Sequence, residues 1–380
     1  MSDRPGSFDS AELPQTLSEV RDRIDAIDHK LLELISQRAS LAEVVAAIKI
    51  RDGNSATDQS FYRPEREAQV LRAIRKANPG PLSDEAVVWL FREIMSACLA
   101  LERPLSIATL GPAGTFSEMA AIRAFGHGGQ LVFEPEIDDV FRAVQSASVD
   151  YGVVPLENST EGSVTRTLDC LAQSDLLICG ELDLRVDQQL LARADATEQP
   201  QKIVGHAQSL AQCRGWLDRH YAGVERVAVA SNAIGAVMAA DDPSIMALGA
   251  EIAADRYNLT VVARNIQDDV RNTTRFAILG REQVPISGKD KTSLLVSVKN
   301  EPGALARLLE PLSANGIDVS RIESRPARDR VWDYVFFIDF SGHRDDPIVR
   351  SALNALAPHC GHLRVLGSYP QPVLGSHIVN

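Results

Sequence analysis

The chain has 380 residues, 45% of them hydrophobic and 24% charged, enough for two or three domains with buried cores. Its formal net charge of −12 argues against a nucleic acid or an anionic membrane as partner. The five cysteines (Cys98, Cys170, Cys179, Cys213, Cys360) include no CxxC pair, which fits reduced thiols in the cytoplasm better than a disulfide frame or a zinc site. Residues 1–15 hold no apolar run and no later stretch is long enough to span a bilayer, so a soluble protein is expected. His359-Cys360-Gly361-His362 is the one metal-like cluster; without a further ligand pair it reads as the start of a strand, and no metal is expected.

Thr16-Leu-Ser-Glu19 reads as a capping box. Apolar residues then recur at Leu17, Val20, Ile24, Ile27, Leu31, Leu34, Leu41, Val45 and Ile48, with no Gly or Pro before Gly53. The spacing predicts one helix from Thr16 to Ile50, roughly 50 Å long at ~1.5 Å per residue. So long a seam needs partner helices, which a second subunit is expected to supply. Arg38 occupies a seam position, where burial demands an anionic partner. Lys49, eleven residues on, points to the same side. Arg21 lies about 100° around the helix and ~25 Å back along its axis. A small ligand that meets Arg38 and Lys49 therefore meets Arg21 only from the other chain of an antiparallel dimer. An Arg–Glu registry pair would explain Arg38 but not its alignment with Lys49. After a polar loop, Arg63-Pro-Glu-Arg-Glu67 heads a second helix. A third, Asp84 to Leu101, puts Glu102 one turn beyond Cys98 on the same face.

This region resembles the all-helical chorismate mutase family, an intertwined dimer of three-helix chains. The resemblance implies that Arg38, Lys49 and the neighbouring chain's Arg21 hold the carboxylates and ether oxygen of chorismate. Arg66 and Glu67 fall on the family's second-helix pair, with Glu67 taking the substrate hydroxyl; a long preceding loop lets Arg63 compete with Arg66. Cys98 and Glu102 stand where a hydroxyl residue and a Gln are common. The implied reaction is a pericyclic rearrangement to prephenate, which needs no nucleophile, metal or cofactor.

Ser106–Leu110 reads as a strand, followed by the turn Gly111-Pro-Ala-Gly-Thr-Phe-Ser117 and a helix; the alternation that follows predicts a mostly parallel α/β sheet. Within it, Tyr151–Asp169 reads as a strand ended by Pro155, a polar loop and a helix starting near Val164. Helix N–H groups beside Asn158, Ser159, Thr160 and Ser163 would suit a carboxylate or phosphate, or the Ser and Thr merely cap the helix. A second α/β set spans Gln189–Val262, with Gly205–Cys213 and Ala230–Gly235 each entering a helix. The strand Thr273–Leu279 returns to the first lobe, leaving a cleft between lobes. An anionic substrate there would call for locally placed cations against the negative background.

GPAGTFSE, VVPLENSTEGSV, GHAQSLAQC and NTTRF together resemble prephenate dehydratase in order and spacing. The resemblance implies a two-lobed, periplasmic-binding-protein-like α/β domain that removes carbon dioxide and water from prephenate, giving phenylpyruvate. The family's essential threonine falls on Thr274, beside Thr273, Arg275 and Phe276. Further substrate contacts are expected from Thr115, the Asn158–Ser163 loop with Ser159, Thr160 and Gly162, and His206, Gln208, Ser209, Gln212, Ser231 and Asn232. Strand alternation sets Thr274 and Arg275 on opposite faces. Arg275 either reaches the substrate through a twist at the strand end or ties the sheet to the next domain.

Arg281–Lys291 reads as a linker, and residues 292–370 follow a βαββαβ order, the ferredoxin-like α+β pattern. Pro302-Gly-Ala-Leu305 and Glu323-Ser-Arg-Pro326 resemble the phenylalanine-binding ACT domain. This implies an effector site at Gly303, Ala304, Leu305, Glu323, Ser324, Arg325 and Pro326, with Asn300 or Glu301 meeting the ammonium group. The whole chain is thus expected to hold an all-α domain (16–102), a two-lobed α/β domain (104–285) and an ACT domain (292–370). The expected protein is a homodimeric bifunctional enzyme of phenylalanine biosynthesis, feedback-inhibited by phenylalanine. An arogenate-preferring dehydratase and a non-catalytic amino-acid sensor are the alternatives, and a sensor needs neither Thr274 nor the Arg38–Lys49 alignment.

Overall fold

The computed structural model describes residues 16–51, 62–298, 301–326 and 334–373. Three helices open the chain: α1 (Leu17–Arg51), α2 (Pro64–Ala77) and α3 (Asp84–Glu102). The capping box forms, with Glu19 N–H donating to Thr16 Oγ1 (3.2 Å) and Thr16 N–H donating to Glu19 Oε2 (3.1 Å). α2 and α3 enclose Ala68, Leu71 and Val88, and Val373 closes this core from the far end of the chain. The apolar seam of α1 stays open: Ile24 is 51% exposed and Leu41 66%.

The first lobe contains β1 (Ser106–Leu110), α4 (Phe116–Phe125), β2 (Gln130–Glu134), α5 (Ile137–Gln145), β3 (Tyr151–Asn158), β4 (Gly162–Ser163), α6 (Thr165–Gln173) and β5 (Leu177–Arg185). The second contains β6 (Gln189–Ala192), β7 (Lys202–His206), α7 (Ala207–Gln212), α8 (Arg214–His220), β8 (Glu225–Val229), α9 (Asn232–Asp241), β9 (Ile245–Gly249), α10 (Ile252–Tyr257) and β10 (Thr260–Ala263). β11 (Thr273–Gly280) then returns, giving the sheet orders β2-β1-β3-β11-β5 and β10-β6-β9-β7-β8. Both sheets are mixed rather than mostly parallel. A strand returning from the neighbouring lobe enters where β5 left, so β11 runs antiparallel to β5 and to β3. α10 ties the lobes together: Arg256 Nε donates to Glu118 Oε1 (2.8 Å) and Tyr257 OH donates to the Ala113 carbonyl (2.6 Å).

The polar loop after Pro155 also departs from expectation. β3 continues to Asn158 and folds back through β4, with Glu157 opposite Ser163 and Asn158 opposite Gly162. Pro155 is tolerated because pairing with β11 shifts there, between Arg275 and Phe276, so its missing N–H falls at an irregularity. α6 begins only at Thr165, with no side-chain cap. Asn158 closes the hairpin tip instead, its Oδ1 accepting from the N–H of Thr160 (2.9 Å) and Glu161 (3.2 Å).

The C-terminal unit holds β12 (Asp290–Val298), α11 (Ala304–Ala314), β13 (Val319–Pro326), β14 (Tyr334–Ser341), α12 (Pro347–Leu356) and β15 (His362–Pro370), in the sheet order β13-β14-β12-β15. Asn300 lies outside the described residues. α11 and α12 cover one face through Leu294, Val296, Ile338 and Phe340. The other face puts Leu295, Phe337, Leu366 and Tyr369 into one core with Leu171, Ile178 and Leu279 of the first lobe. This docking needs glycine at 367, where a Cβ would stand 2.1 Å from the Ile178 carbonyl oxygen. The stretch Arg281–Lys291 is correspondingly no free tether: Arg72 of α2 donates to the carbonyls of Ser287 (3.1 Å) and Lys289 (2.8 Å).

Gly367→Val is expected to lower unfolding free energy by on the order of 3 kcal/mol, because backbone meets backbone there and neither can yield. Denaturant titration of the full chain checks it, and an unshifted midpoint would contradict this docking.

Candidate active sites

Between the lobes lies a cleft of about 330 Å³, lined by the start of α4, the end of β3, the β7–α7 and β8–α9 turns, and the crossing residues Val186, Gln188 and Asn272. Its floor is a chain of amides. Asn158 Nδ2 donates to Thr274 Oγ1 (2.9 Å) and to Asn272 Oδ1 (2.9 Å), and Asn272 Nδ2 donates to Gln212 Oε1 (3.0 Å). Within this amide chain the Thr274 hydroxyl proton and the buried Gln212 Nε2 meet no acceptor among the described residues. A hydroxyl that accepts a hydrogen bond becomes a better donor, so Asn158 prepares Thr274 to give its proton into the cleft.

The opposite wall is built the same way. Ser209 Oγ accepts from Gln188 Nε2 (3.0 Å) and Asn232 Nδ2 (2.8 Å), and Asn232 Oδ1 accepts from the His206 N–H (2.7 Å). Thr115 and Ser231 cap the helices beside them, accepting from Glu118 N–H and Ile234 N–H at 3.2 Å each. α4 and α9 therefore present their N-termini to the cleft, the positive ends of their dipoles. Among the described residues no Lys, Arg, Asp or Glu lines it. The cations expected around an anionic substrate are absent from this wall, and oriented N–H groups take their place.

At the helical end, Lys49 Nζ donates to Glu102 Oε2 (3.2 Å) at the α1–α3 contact. Lys49 also borders a second cavity of about 360 Å³, shared with Tyr62, Arg63, Glu65, Cys179 and the segment Glu282–Pro285. Arg63 Nε pairs with the buried Glu65 (2.7 Å). Burial pushes the Cys179 thiol up to about 12, so it is a neutral wall and no nucleophile. Glu67 instead meets Arg92 (3.2 Å), away from Lys49; burial pushes its carboxyl up while that guanidinium opposes the shift.

Family models match three successive segments: chorismate mutase type II at residues 20–103, prephenate dehydratase at 107–284 and the ACT domain at 292–358. The chain is 50% identical over 361 residues to the bifunctional chorismate mutase/prephenate dehydratase of Stutzerimonas stutzeri, covering 94% of this chain and 98% of that one. The chain belongs to the bifunctional chorismate mutase/prephenate dehydratase family. Among solved structures, prephenate dehydratase from Arthrobacter aurescens, in complex with L-Phe, superposes with a TM-score of 0.66 at 32% identity over 73% of this chain and 93% of that one. A chain described as GqqA, a novel type of quorum quenching acylase, gives a TM-score of 0.65 at 28% identity over 70% and 98%.

Both family activities belong to this chain, chorismate mutase and prephenate dehydratase. In the interlobe cleft the structure gathers Thr115, Asn158, His206, Gln208, Ser209, Gln212, Ser231, Asn232 and Thr274. It leaves Ser159, Thr160, Gly162 and Ser163 outside, because they form the hairpin tip and its return strand rather than a helix start. Phe276 is 2% exposed in the core, and Thr273 spends its hydroxyl on the Arg271 carbonyl (3.1 Å). Arg275 faces away from the cleft, toward Glu157 (3.4 Å), Asp183 (3.6 Å) and Asp339 of the ACT sheet (3.8 Å). Alternation decides between its two expected roles: it ties the sheet to the next domain. Gln188 was not anticipated, since a lone Gln at a lobe crossing carries no pattern; Asn272 opens the NTTRF motif but was not singled out as a contact.

In the mutase domain, Arg21 is exposed and Arg38 half-buried, and neither makes an ion pair among the described residues. Arg66 is exposed, so in one chain Arg63 and Glu65, rather than Arg66 and Glu67, face the Lys49 cavity. Cys98 is buried one turn before Glu102.

Thr274→Ala is expected to lower the dehydratase kcat roughly 10²-fold or more, while Thr274→Ser keeps most of it and the mutase rate stays put in both. Steady-state assays of the two reactions on one preparation check this; parent-like dehydration by Thr274→Ala would remove the residue from the mechanism.

Proposed function

We propose that the interlobe cleft binds prephenate and that Thr274 assists departure of its ring hydroxyl. The observation that carries this is the Asn158–Thr274 hydrogen bond, which uses the threonine oxygen as acceptor and leaves its proton to be donated in a cleft whose other ionisable side chain is His206. As the ring carboxylate leaves as carbon dioxide, the electron pair of its C–C bond enters the ring and the C–O bond breaks, releasing hydroxide. Aromatisation drives the step, and Thr274 supplies a hydrogen bond to the leaving oxygen. The substrate's carboxylates are met by the N-termini of α4 and α9, with Gln212 Nε2 as a further donor. Arogenate, the amino-bearing analogue, fits the same chemistry and is the alternative substrate. The acylase neighbour shares this fold, but acyl transfer needs a nucleophile paired with a base, and the Thr274 oxygen meets an amide donor.

For the mutase, we infer a site completed by a second copy of the chain in a cytoplasmic homodimer. The exposed α1 seam supports the pairing: a run of apolar side chains along ~50 Å of helix is costly to leave in water. Arg38 and Lys49 of one chain and Arg21 of the other are the proposed cations, with Cys98 and Glu102 completing the α3 wall. The family roles of Arg66 and Glu67 require α2 to turn its other face to the substrate, whereas Arg63 and Glu65 already face Lys49. Glu102 accepts from Lys49 as a carboxylate and donates to an ether oxygen only when protonated.

The ACT domain is the proposed phenylalanine sensor, in keeping with the L-Phe complex of the Arthrobacter aurescens relative. Gly303, at φ +81°, leads into α11 with Ala304 and Leu305, and Glu323, Ser324, Arg325 and Pro326 lie on the edge strand β13. Glu301 is held by Arg307 (2.5 Å), so it meets an ammonium group only by leaving that partner.

Supplied with chorismate alone, the purified chain is expected to form phenylpyruvate, and phenylalanine to suppress it. Absence of phenylpyruvate from both chorismate and prephenate would overturn the catalytic reading.

A further inference from the structure

Behind the cleft, the sequence neighbours of Asn158 and Thr274 face the ACT domain. Glu157 and Arg275 are opposite one another across β3 and β11, as are Arg321 and Asp339 across β13 and β14. The four side chains close a ring of alternating charge. Arg275 Nη1 lies 3.4 Å from Glu157 Oε2 and 3.8 Å from Asp339 Oδ2. Arg321 Nε lies 3.0 Å from the same Glu157 oxygen, and its Nη1 3.9 Å from Asp339 Oδ2. Arg321 Nη2 also donates to Ser163 Oγ (2.7 Å), on the strand that pairs with Glu157.

The ACT half of the ring is buried, with the Arg321 side chain 8% exposed and that of Asp339 4%, while Glu157 and Arg275 are half-buried. With Asp183 also 3.6 Å from Arg275, three carboxylates face two guanidinium groups, so removing Arg321 leaves the buried Asp339 less compensated. Glu157 Oε2, Arg275 Nη1, Arg321 Nε and Asp339 Oδ2 make no well-aligned hydrogen bond. Contacts within the ring are therefore held by charge, which acts over distance, while hydrogen bonds from Arg321 Nη2 to Ser163 Oγ and from Ser293 Oγ to Asp339 Oδ1 (2.6 Å) fix its ACT side.

Each end of this ring is one peptide from something that matters. Glu157 precedes Asn158 and Arg275 follows Thr274, while Arg321 stands two residues before Glu323 on β13. A displacement of β13 is thus felt by Glu157, and through the β3 backbone by the amide that orients the threonine. We propose that Arg321 is a positioning residue for the dehydratase site: by holding Glu157 it sets where Asn158 places the Thr274 hydroxyl, and it carries the state of β13 into the cleft. This rests on the dehydratase and phenylalanine readings above. Arg321 itself reaches no substrate, since it is not among the residues lining the cleft.

The test is made on the full chain, following dehydratase and mutase rates and the heat of phenylalanine binding together. Arg321→Ala is expected to lower the dehydratase kcat by ~10-fold or more (~1.4 kcal/mol) with KM little changed and the mutase rate intact. Phenylalanine is expected still to bind, while its inhibition of the remaining dehydration weakens by about 10-fold. Arg321→Lys, which keeps the charge but not the fork, is expected to recover part of both. Parent kcat together with parent inhibition in Arg321→Ala would overturn the proposal, as would mutase and dehydratase rates falling in step. Should Arg321→Ala not fold, the exchanged pair Arg321→Glu with Glu157→Arg decides: dehydration well above that of Glu157→Arg alone supports the link, and no gain overturns it. A parent chain that gives no heat with phenylalanine refutes the effector reading instead, and the kcat comparison still decides the positioning role.

Discussion

β11 must do two things at once, and most of the molecule follows from that constraint. It is the strand on which the chain comes back from the second lobe, so it sits between β3 and β5 and ends the crossing that makes the cleft. Successive side chains of a strand leave by opposite faces. Thr274 therefore meets Asn158 in the cleft while Arg275 meets Glu157 and Asp339 behind it. The two faces belong to one backbone, so the proposed site at Thr274 and the ACT domain are mechanically adjacent.

The docking of the ACT sheet extends the same arrangement. A ferredoxin-like sheet covered by helices on one side leaves its second face to be buried elsewhere. Here that face shares a core with the first lobe, through Leu295, Phe337, Leu366 and Tyr369. The boundary that is sharp in sequence at the 281–291 stretch is therefore absent in space, where Arg72 of the mutase domain also grips the connecting backbone.

What could be read beforehand follows the range of each signal. The capping box, the seam of α1 and the four central motifs are local, and they were legible because a few adjacent residues specify them. Alternation at Thr274–Arg275 was legible too, and needed only the identity of the neighbouring strand to resolve it. The 157–163 hairpin was not, because Asn, Ser, Thr and Gly suit a tight turn as well as a helix cap. Gln188 and Asn272 acquire meaning only when two lobes bring them beside Ser209 and Gln212. The two-sided burial of the ACT sheet did leave a trace: Leu294-Leu295-Val296 and Val335-Phe336-Phe337-Ile338 are continuous apolar runs where a one-sided sheet would alternate. The orientation of α2 depends on contacts with parts of the protein distant in sequence, so its periodicity could not choose between Arg63 and Arg66.

Among the described residues no Lys, Arg, Asp or Glu lines the cleft. Oriented amides and helix ends attract a dianion without creating an ion pair that must later be broken. In the proposed step carbon dioxide leaves neutral and hydroxide carries off one negative charge, so the dianion becomes a monoanionic product and those dipoles hold it less once hydroxide departs. Turnover in such a site carries its own release step: the reaction discharges the ligand that the cleft was built to attract.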